Sequence, residues 1–96
     1  NEDKKHLRRL GHNLNPVVTV AGNGLSESVL AEIDRALNDH ELIKVKLAVG
    51  DKEAKQLVIA EIAEKLGAEP VQTLGHIVLL LRRADKPNRL LSNLLR

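Results

Sequence analysis

The chain of 96 residues contains no cysteine, methionine, phenylalanine, tyrosine or tryptophan. Without cysteine it has no disulfide framework, no thiolate ligands for zinc and no thiol nucleophile. Without phenylalanine, tyrosine and tryptophan it is not one of the RNA-binding modules that stack bases on these rings. The longest apolar run, residues 77–81, has the length of a strand and is far shorter than the ~20 residues of a membrane-spanning helix.

Motifs of catalysis and metal binding are also missing. The four histidines include no pair at the i, i+4 spacing of helical zinc ligands. No serine lies in G-x-S-x-G, and neither common glycine-rich nucleotide-binding motif occurs. A catalytic pair of carboxylates is not excluded, because acidic residues distant in sequence can meet in space, but nothing in the sequence singles out a pair. We therefore expect a protein that is not an enzyme and has no cofactor, no small-molecule substrate and no membrane segment.

Hydrophobic periodicity predicts one domain over residues 1–84, with the order α-β-α-β-α-β-β. Helices are predicted over residues 3–12, after an N-cap at Ser26 to residue 39, and after an N-cap at Asp51 to residue 66. Strands are predicted over residues 17–20, 42–49, 71–74 and 77–82. Gly75 and His76, between the last two strands, predict a type II′ hairpin turn.

This order predicts an α/β fold with a four-stranded mixed sheet and three helices. Crossover handedness places the second and third helices on one side of the sheet, and the first helix covers part of the other side. The alternation of Ile43, Val45 and Leu47 with Lys44 and Lys46 puts the two lysines on the face opposite the core. The tail, residues 85–96, repeats leucine at helical spacing, which leaves both a short docked helix and a mobile segment open.

Basic and acidic residues occupy different segments, although the net charge is only +2. Residues 1–12, 42–58 and 70–96 are net positive, and residues 13–41 and 59–69 are net negative. Such a distribution predicts one basic face, which is a candidate site for a polyanion. The alternative is that the charged side chains only solvate the surface.

The candidate anion-binding residues form four groups. They are Lys4, Lys5, Arg8 and Arg9 on the first helix, Lys44 and Lys46 on the second strand, Arg82 and Arg83 at the end of the last strand, and Gly22, Asn23 and Gly24 in a strand-to-helix loop. Glycines before a helix N-terminus let a phosphate approach free backbone N–H groups. If the first helix crosses the lysine face, the groups converge. The alternatives are that the two lysines pair with acidic neighbours and that the glycines serve only the turn.

Four segments carry a resemblance to a known family. They are HLRRLGHNLNPVV at residues 6–18, NGLSESVLAEI at residues 23–33, HELIKVK at residues 40–46 and VQTLGHIVLLLR at residues 71–82. In these segments the chain resembles the YhbY-like family, also called the CRM (chloroplast RNA splicing and ribosome maturation) domain, in its single-domain bacterial form. The resemblance runs from Lys4 to Arg83 and does not include residues 90–96.

The resemblance implies a fold like the C-terminal domain of bacterial translation initiation factor three. It also implies binding of structured RNA, association with precursors of the large ribosomal subunit, and a cytoplasmic location. The family's G-x-x-G loop is implied to contact RNA together with nearby basic residues. Here Ala21 stands at the first glycine of that loop, and Gly22 is expected to adopt the positive φ in its place. The alternative function is a protein-interaction module that uses the basic face and the leucine-rich tail.

Overall fold

The computed structural model describes residues 2–22 and 24–94, and it has the predicted order of elements. The helices are α1 (Glu2–His12), α2 (Glu27–His40) and α3 (Lys52–Leu66). The strands are β1 (Pro16–Val20), β2 (Leu42–Leu47), β3 (Glu69–Leu74) and β4 (Ile77–Leu81). The predicted boundaries differ from these by one or two residues. Asn23 and Leu95, which the sequence placed in the glycine loop and the leucine repeat, lie outside the described residues.

Short polar residues and glycine set the ends of the longer helices. The side chain of Ser26 accepts a hydrogen bond from the backbone N–H of Val29 at 3.2 Å and caps α2. The carboxylate of Asp51 accepts one from the backbone N–H of Ala54 at 2.9 Å and caps α3. Gly67 ends α3 in the left-handed conformation, with φ 64°.

The four strands form one mixed sheet in the order β1-β2-β4-β3, which agrees with the predicted sheet type. β1 and β2 are parallel, and the pairs β2–β4 and β3–β4 are antiparallel. Gly75 has φ 60°, whereas His76 has no positive φ, which agrees with the predicted type II′ turn. β3 carries a bulge between Pro70 and Gln72.

The two faces of the sheet bury separate apolar clusters. On one face Ile43, Val45 and Leu47 pack with the apolar residues of α2 and α3. On the other, α1 packs through Leu7 and Leu10 against a cluster formed by Leu42, Val71, Leu79 and Leu81. The predicted register of β2 and the position of α1 are therefore confirmed, and Lys44 and Lys46 lie on the α1 side of the sheet.

The glycine loop differs from the expectation at one residue. Gly24, with φ 83°, adopts the positive φ that was expected at Gly22, whose φ is not positive. The backbone N–H of Gly24 donates to the carbonyl oxygen of Ala21 at 2.9 Å. Ala21 has no positive φ either, so an alanine is compatible with this geometry.

The described part of the tail is docked on the domain without forming a helix. Asn93 donates its backbone N–H to the carbonyl oxygen of His40 at 2.9 Å and its side-chain amide to the carbonyl oxygen of Leu42 at 2.6 Å. Nδ1 of His40 lies 2.8 Å from the carbonyl oxygen of Leu91. Leu94 packs on the apolar cluster under α1, which we call the α1-side cluster. The tail therefore covers the end of the sheet where β2 begins.

Glu41 joins this tail to the end of α2. It is 2% exposed and has φ 62°, the one positive φ of a non-glycine residue in the described chain. Its carboxylate accepts hydrogen bonds from the backbone N–H of Ala84 at 2.6 Å and from the hydroxyl of Ser92 at 2.7 Å. Both oxygens of this buried carboxylate thus have donors, as burial of a charge requires.

Candidate nucleic-acid interface

Helix α1 covers only part of its face of the sheet, and a groove of about 450 Å³ runs beside it. We call this the α1 groove. Its lining combines cations, amides and aliphatic side chains: Arg8, Arg9, His12, Asn13, Lys44, Gln72, Leu74, Ile77 and Leu79. Such a surface can hold an anion at its rim and an apolar group on its floor.

Gly11 brings the last turn of α1 close to the floor of the groove. A Cβ atom at this position would lie 2.7 Å from both Cδ atoms of Leu79, a distance that real side chains do not adopt. Because Leu7 and Leu10 on the same helix face the sheet, Arg8 and Arg9 project to the exposed sides of α1. The glycine and the leucine spacing together place two arginines along the rim.

Lys44 joins the sheet to the end of α1. Its ammonium Nζ donates to the carbonyl oxygen of His12 at 3.4 Å. His12 is the last residue of α1, and a positive charge at a helix C-terminus is stabilised by the helix dipole. Lys46 is exposed on the same face but does not line the groove. Neither lysine forms an ion pair with a carboxylate of residues 4–22 or 24–94, contrary to the alternative considered from the sequence.

The other first-helix cations have a less central position. Lys4 and Lys5 are exposed in the N-terminal half of α1 and do not line the groove. Arg8 and Arg9 are exposed as well, and no described carboxylate forms an ion pair with them. The structure therefore brings together Arg8, Arg9 and Lys44, with Lys46 on the same face.

Arg82 lies away from this group, on the α2 and α3 side of the sheet. Its guanidinium donates to the carboxylate of Asp34 at 2.7 Å, to the backbone carbonyl of Asp34 at 2.9 Å, to the carbonyl of Leu66 at 2.9 Å and to the side-chain oxygen of Asn38 at 2.9 Å. These contacts tie β4 to α2 and to the end of α3. Arg83 is exposed beyond the end of β4. The predicted convergence therefore does not extend to Arg82.

The glycine loop lies at the hairpin end of the sheet. The N–H of Ala48 donates to the carbonyl oxygen of Val20 at 2.8 Å, and that of Leu47 donates to the carbonyl oxygen of His76 at 2.6 Å. These bonds hold the ends of β1 and β2 beside the β3–β4 turn. A Cβ atom at Gly22 or Gly24 would meet nothing within 4 Å, so the loop is open to a ligand but does not line the α1 groove.

The non-basic residues of the groove were not predicted from the sequence. Asn13 and His12 were interpreted only as the end of a helix, and Gln72 as a residue of a strand. Val71 belongs to the α1-side cluster while Gln72 lines the groove on the same face, because the bulge between Pro70 and Gln72 interrupts the alternation. The pairing of Gln72 with Leu79 is the signal that identifies it, and that pairing exists only in the folded sheet.

The described residues contain neither a metal site nor a membrane span. No group of three or more histidine, aspartate or glutamate side chains among them is placed to hold a metal ion. None of the helices described is long and apolar enough to cross a membrane.

Comparison with known proteins agrees with the resemblance seen in the sequence. The model of the CRS1/YhbY (CRM) domain matches residues 1–82. The chain is 47% identical over 95 residues to "Probable RNA-binding protein PA4753" of Pseudomonas aeruginosa, covering 99% of this chain and 91% of that protein. It is 54% identical over 85 residues to an "RNA-binding protein" of Haemophilus influenzae, covering 88% of this chain and 86% of the relative.

The fold also has a solved counterpart. The solution structure of the hypothetical protein SAV1595 from Staphylococcus aureus superposes with a TM-score of 0.78 at 28% identity and covers 88% of each chain. One assignment follows from the order of elements, from the span that the family model matches and from the two sequence relatives. The chain belongs to the CRS1/YhbY (CRM) domain family.

Proposed function

We propose that this protein binds structured RNA with the α1 side of its sheet and that it grips mainly phosphates. The observation that carries the proposal is the set of cations Arg8, Arg9, Lys44 and Lys46, which share this side without a carboxylate partner among the described residues. Long cationic side chains on one face are what a phosphate backbone requires. The names of the relatives as RNA-binding proteins support the same class of ligand.

The groove offers more than charge. The amides of Asn13 and Gln72 can bind base edges or 2′-hydroxyl groups, which carry both a donor and an acceptor. Ile77 on the floor, which is half-buried, provides an apolar surface for a sugar or a base. The proposal is for binding without a chemical step. The glycine loop, with Gly22, Asn23 and Gly24, is proposed as a further place where a phosphate approaches the backbone, although the N–H of Gly24 itself donates to Ala21.

RNA affinity should depend less steeply on salt when the arginines of α1 are removed. Replacing Arg8 and Arg9 with alanine deletes two phosphate-binding groups. Because each phosphate contact contributes roughly 0.7–0.9 to the slope of log K against log salt, that slope should become shallower by about 1.4–1.8. The measurement is RNA affinity at several salt concentrations for the parent and the variant.

A matched control removes the same charge elsewhere. Lys86 and Arg89 are exposed in the docked tail, away from the groove. The double variant Lys86→Ala and Arg89→Ala should keep the slope of the parent. An Arg8→Ala and Arg9→Ala variant with the slope of the parent would show that α1 does not contact the RNA.

We further propose that the RNA is ribosomal and lies in cytoplasmic precursors of the large ribosomal subunit, which is what the family resemblance implies. The test is co-sedimentation of the protein with ribosomal particles before and after ribonuclease digestion. Association should disappear after digestion. Association that persists would instead favour a protein partner, and co-sedimentation with mature particles alone would contradict a role in assembly.

A further inference from the structure

A second basic cleft, of about 430 Å³, lies on the opposite side of the β3–β4 hairpin. We call it the α3 cleft. Its lining is Lys52, Lys55, Gln56, Ile59, Thr73 and Gly75. The first four residues come from α3 and the last two from the hairpin. The hairpin therefore has a basic depression on each side.

Strand alternation explains how one hairpin serves both depressions. Gln72 and Leu74 line the α1 groove, whereas Thr73 between them lines the α3 cleft. Leu74 is 71% exposed, although it is a large aliphatic residue next to the turn. The hairpin tip thus projects an uncovered apolar side chain between two sets of cations.

The two lysines of the α3 cleft have no evident role in the stability of the fold. Lys52 is the first residue of α3, where the helix dipole disfavours a positive charge. The carboxylate of the adjacent Asp51 accepts a hydrogen bond from the backbone N–H of Ala54. In the part of the chain that the structure describes, no carboxylate, including that of Glu53 in the first turn, forms an ion pair with Lys52 or Lys55.

We propose that the α1 groove and the α3 cleft hold the two phosphate backbones of a double-helical RNA segment, with the hairpin tip between them. This rests on the proposed function and specifies its ligand as paired RNA and not an unpaired strand. Paired RNA is recognised through phosphates and 2′-hydroxyls across its wide, shallow minor groove. The hydroxyl of Thr73 and the amide of Gln72, on opposite sides of the tip, are suited to 2′-hydroxyls. The chain has no phenylalanine, tyrosine or tryptophan, the large aromatic side chains on which unpaired bases usually stack.

The test compares an RNA duplex of about 16 base pairs with each of its strands, chosen so that neither strand folds alone. The variant carries Lys52→Ala and Lys55→Ala, and the controls are Arg8→Ala with Arg9→Ala, and Lys86→Ala with Arg89→Ala. The parent should bind the duplex more tightly than either strand. In the α3-cleft variant, duplex affinity should change about tenfold less between ~50 and ~200 mM salt, because the variant lacks two cations that each contribute roughly 0.9 to the slope.

Single-strand binding should be the same for this variant and the parent. Its thermal unfolding should be no less cooperative, because Lys52 is exposed, Lys55 is only partly buried and neither forms an ion pair with a described carboxylate. The inference would be overturned if the α3-cleft variant bound the duplex like the parent while the Arg8→Ala and Arg9→Ala variant bound it more weakly. The proposed function would then still stand. An equal weakening on single strands would also overturn it, because one strand would then occupy both sides. A parent that binds neither RNA would refute the proposed function itself.

Discussion

Replacing Gly11 with alanine should lower the free energy of unfolding by about 1–3 kcal/mol, the usual cost of overpacking a core. The new Cβ atom would lie 2.7 Å from both Cδ atoms of Leu79, which is 3% exposed, so the leucine side chain or the helix must shift. Alanine has the better helix propensity, by up to about 1 kcal/mol, but Gly11 lies in the last turn, where the gain is smaller. Denaturant unfolding of parent and variant measures the difference.

A double-mutant cycle identifies the cause. Leu79→Ala alone should cost about 2–5 kcal/mol, because it leaves a cavity under α1. In the double variant the alanine at position 11 enters that cavity, so the combined cost should be smaller than the sum by about 1 kcal/mol or more. Strict additivity would mean that α1 does not pack on Leu79 as described.

Replacing Arg82 with alanine should cost about 2–4 kcal/mol of unfolding free energy, since charge-assisted hydrogen bonds are the stronger class. The guanidinium makes four hydrogen bonds that join β4 to α2 and to the end of α3. Arg82→Lys should recover little, because an ammonium cannot reproduce the planar geometry of these bonds. Arg83 is the neighbouring control: it is exposed, and Arg83→Ala should change stability by less than about 0.5 kcal/mol.

RNA binding separates the two possible roles of Arg82. Because Arg82 ties elements of the fold together, its removal should leave the salt slope of the remaining folded protein unchanged at low temperature. A variant with the stability of the parent and a flatter slope would place Arg82 at the RNA and contradict its role as a tie between β4 and the helices.

The order of elements and the register of β2 were predictable because local and tertiary preferences agree there. Lys44 and Lys46 alternate without interruption with three aliphatic residues, so one register buries the apolar side and no other does. Gly67 and Gly75 stop a helix and turn a hairpin by backbone conformation alone, which depends little on the rest of the chain.

The parts that could not be predicted depend on contacts distant in sequence. Arg82 resembled its basic neighbour Arg83 until the positions of Asp34 and Leu66 were known. The bulge in β3 turned Gln72 toward the groove. Pro70 stands at this bulge, but proline is equally compatible with an edge strand or a strand start, so it does not by itself indicate a bulge. The same holds for Lys52 and Lys55, whose relation to the α1 groove exists only through the folded hairpin.

The hydrogen bonds that Ser92 makes to Glu41, and Asn93 to His40 and Leu42, imply that the tail can open separately from the sheet. These residues contact the ends of α2 and β2 but add no strand to the ladder. The amide hydrogen of Asn93 should therefore exchange with solvent in local openings, whereas that of Val45 should exchange only when the sheet separates. Such an opening removes Leu94 from the cluster that contains Leu42 and Leu81 and leaves the hairpin end intact. Transient self-association of this protein should accordingly begin at the tail-covered end and not at the hairpin end.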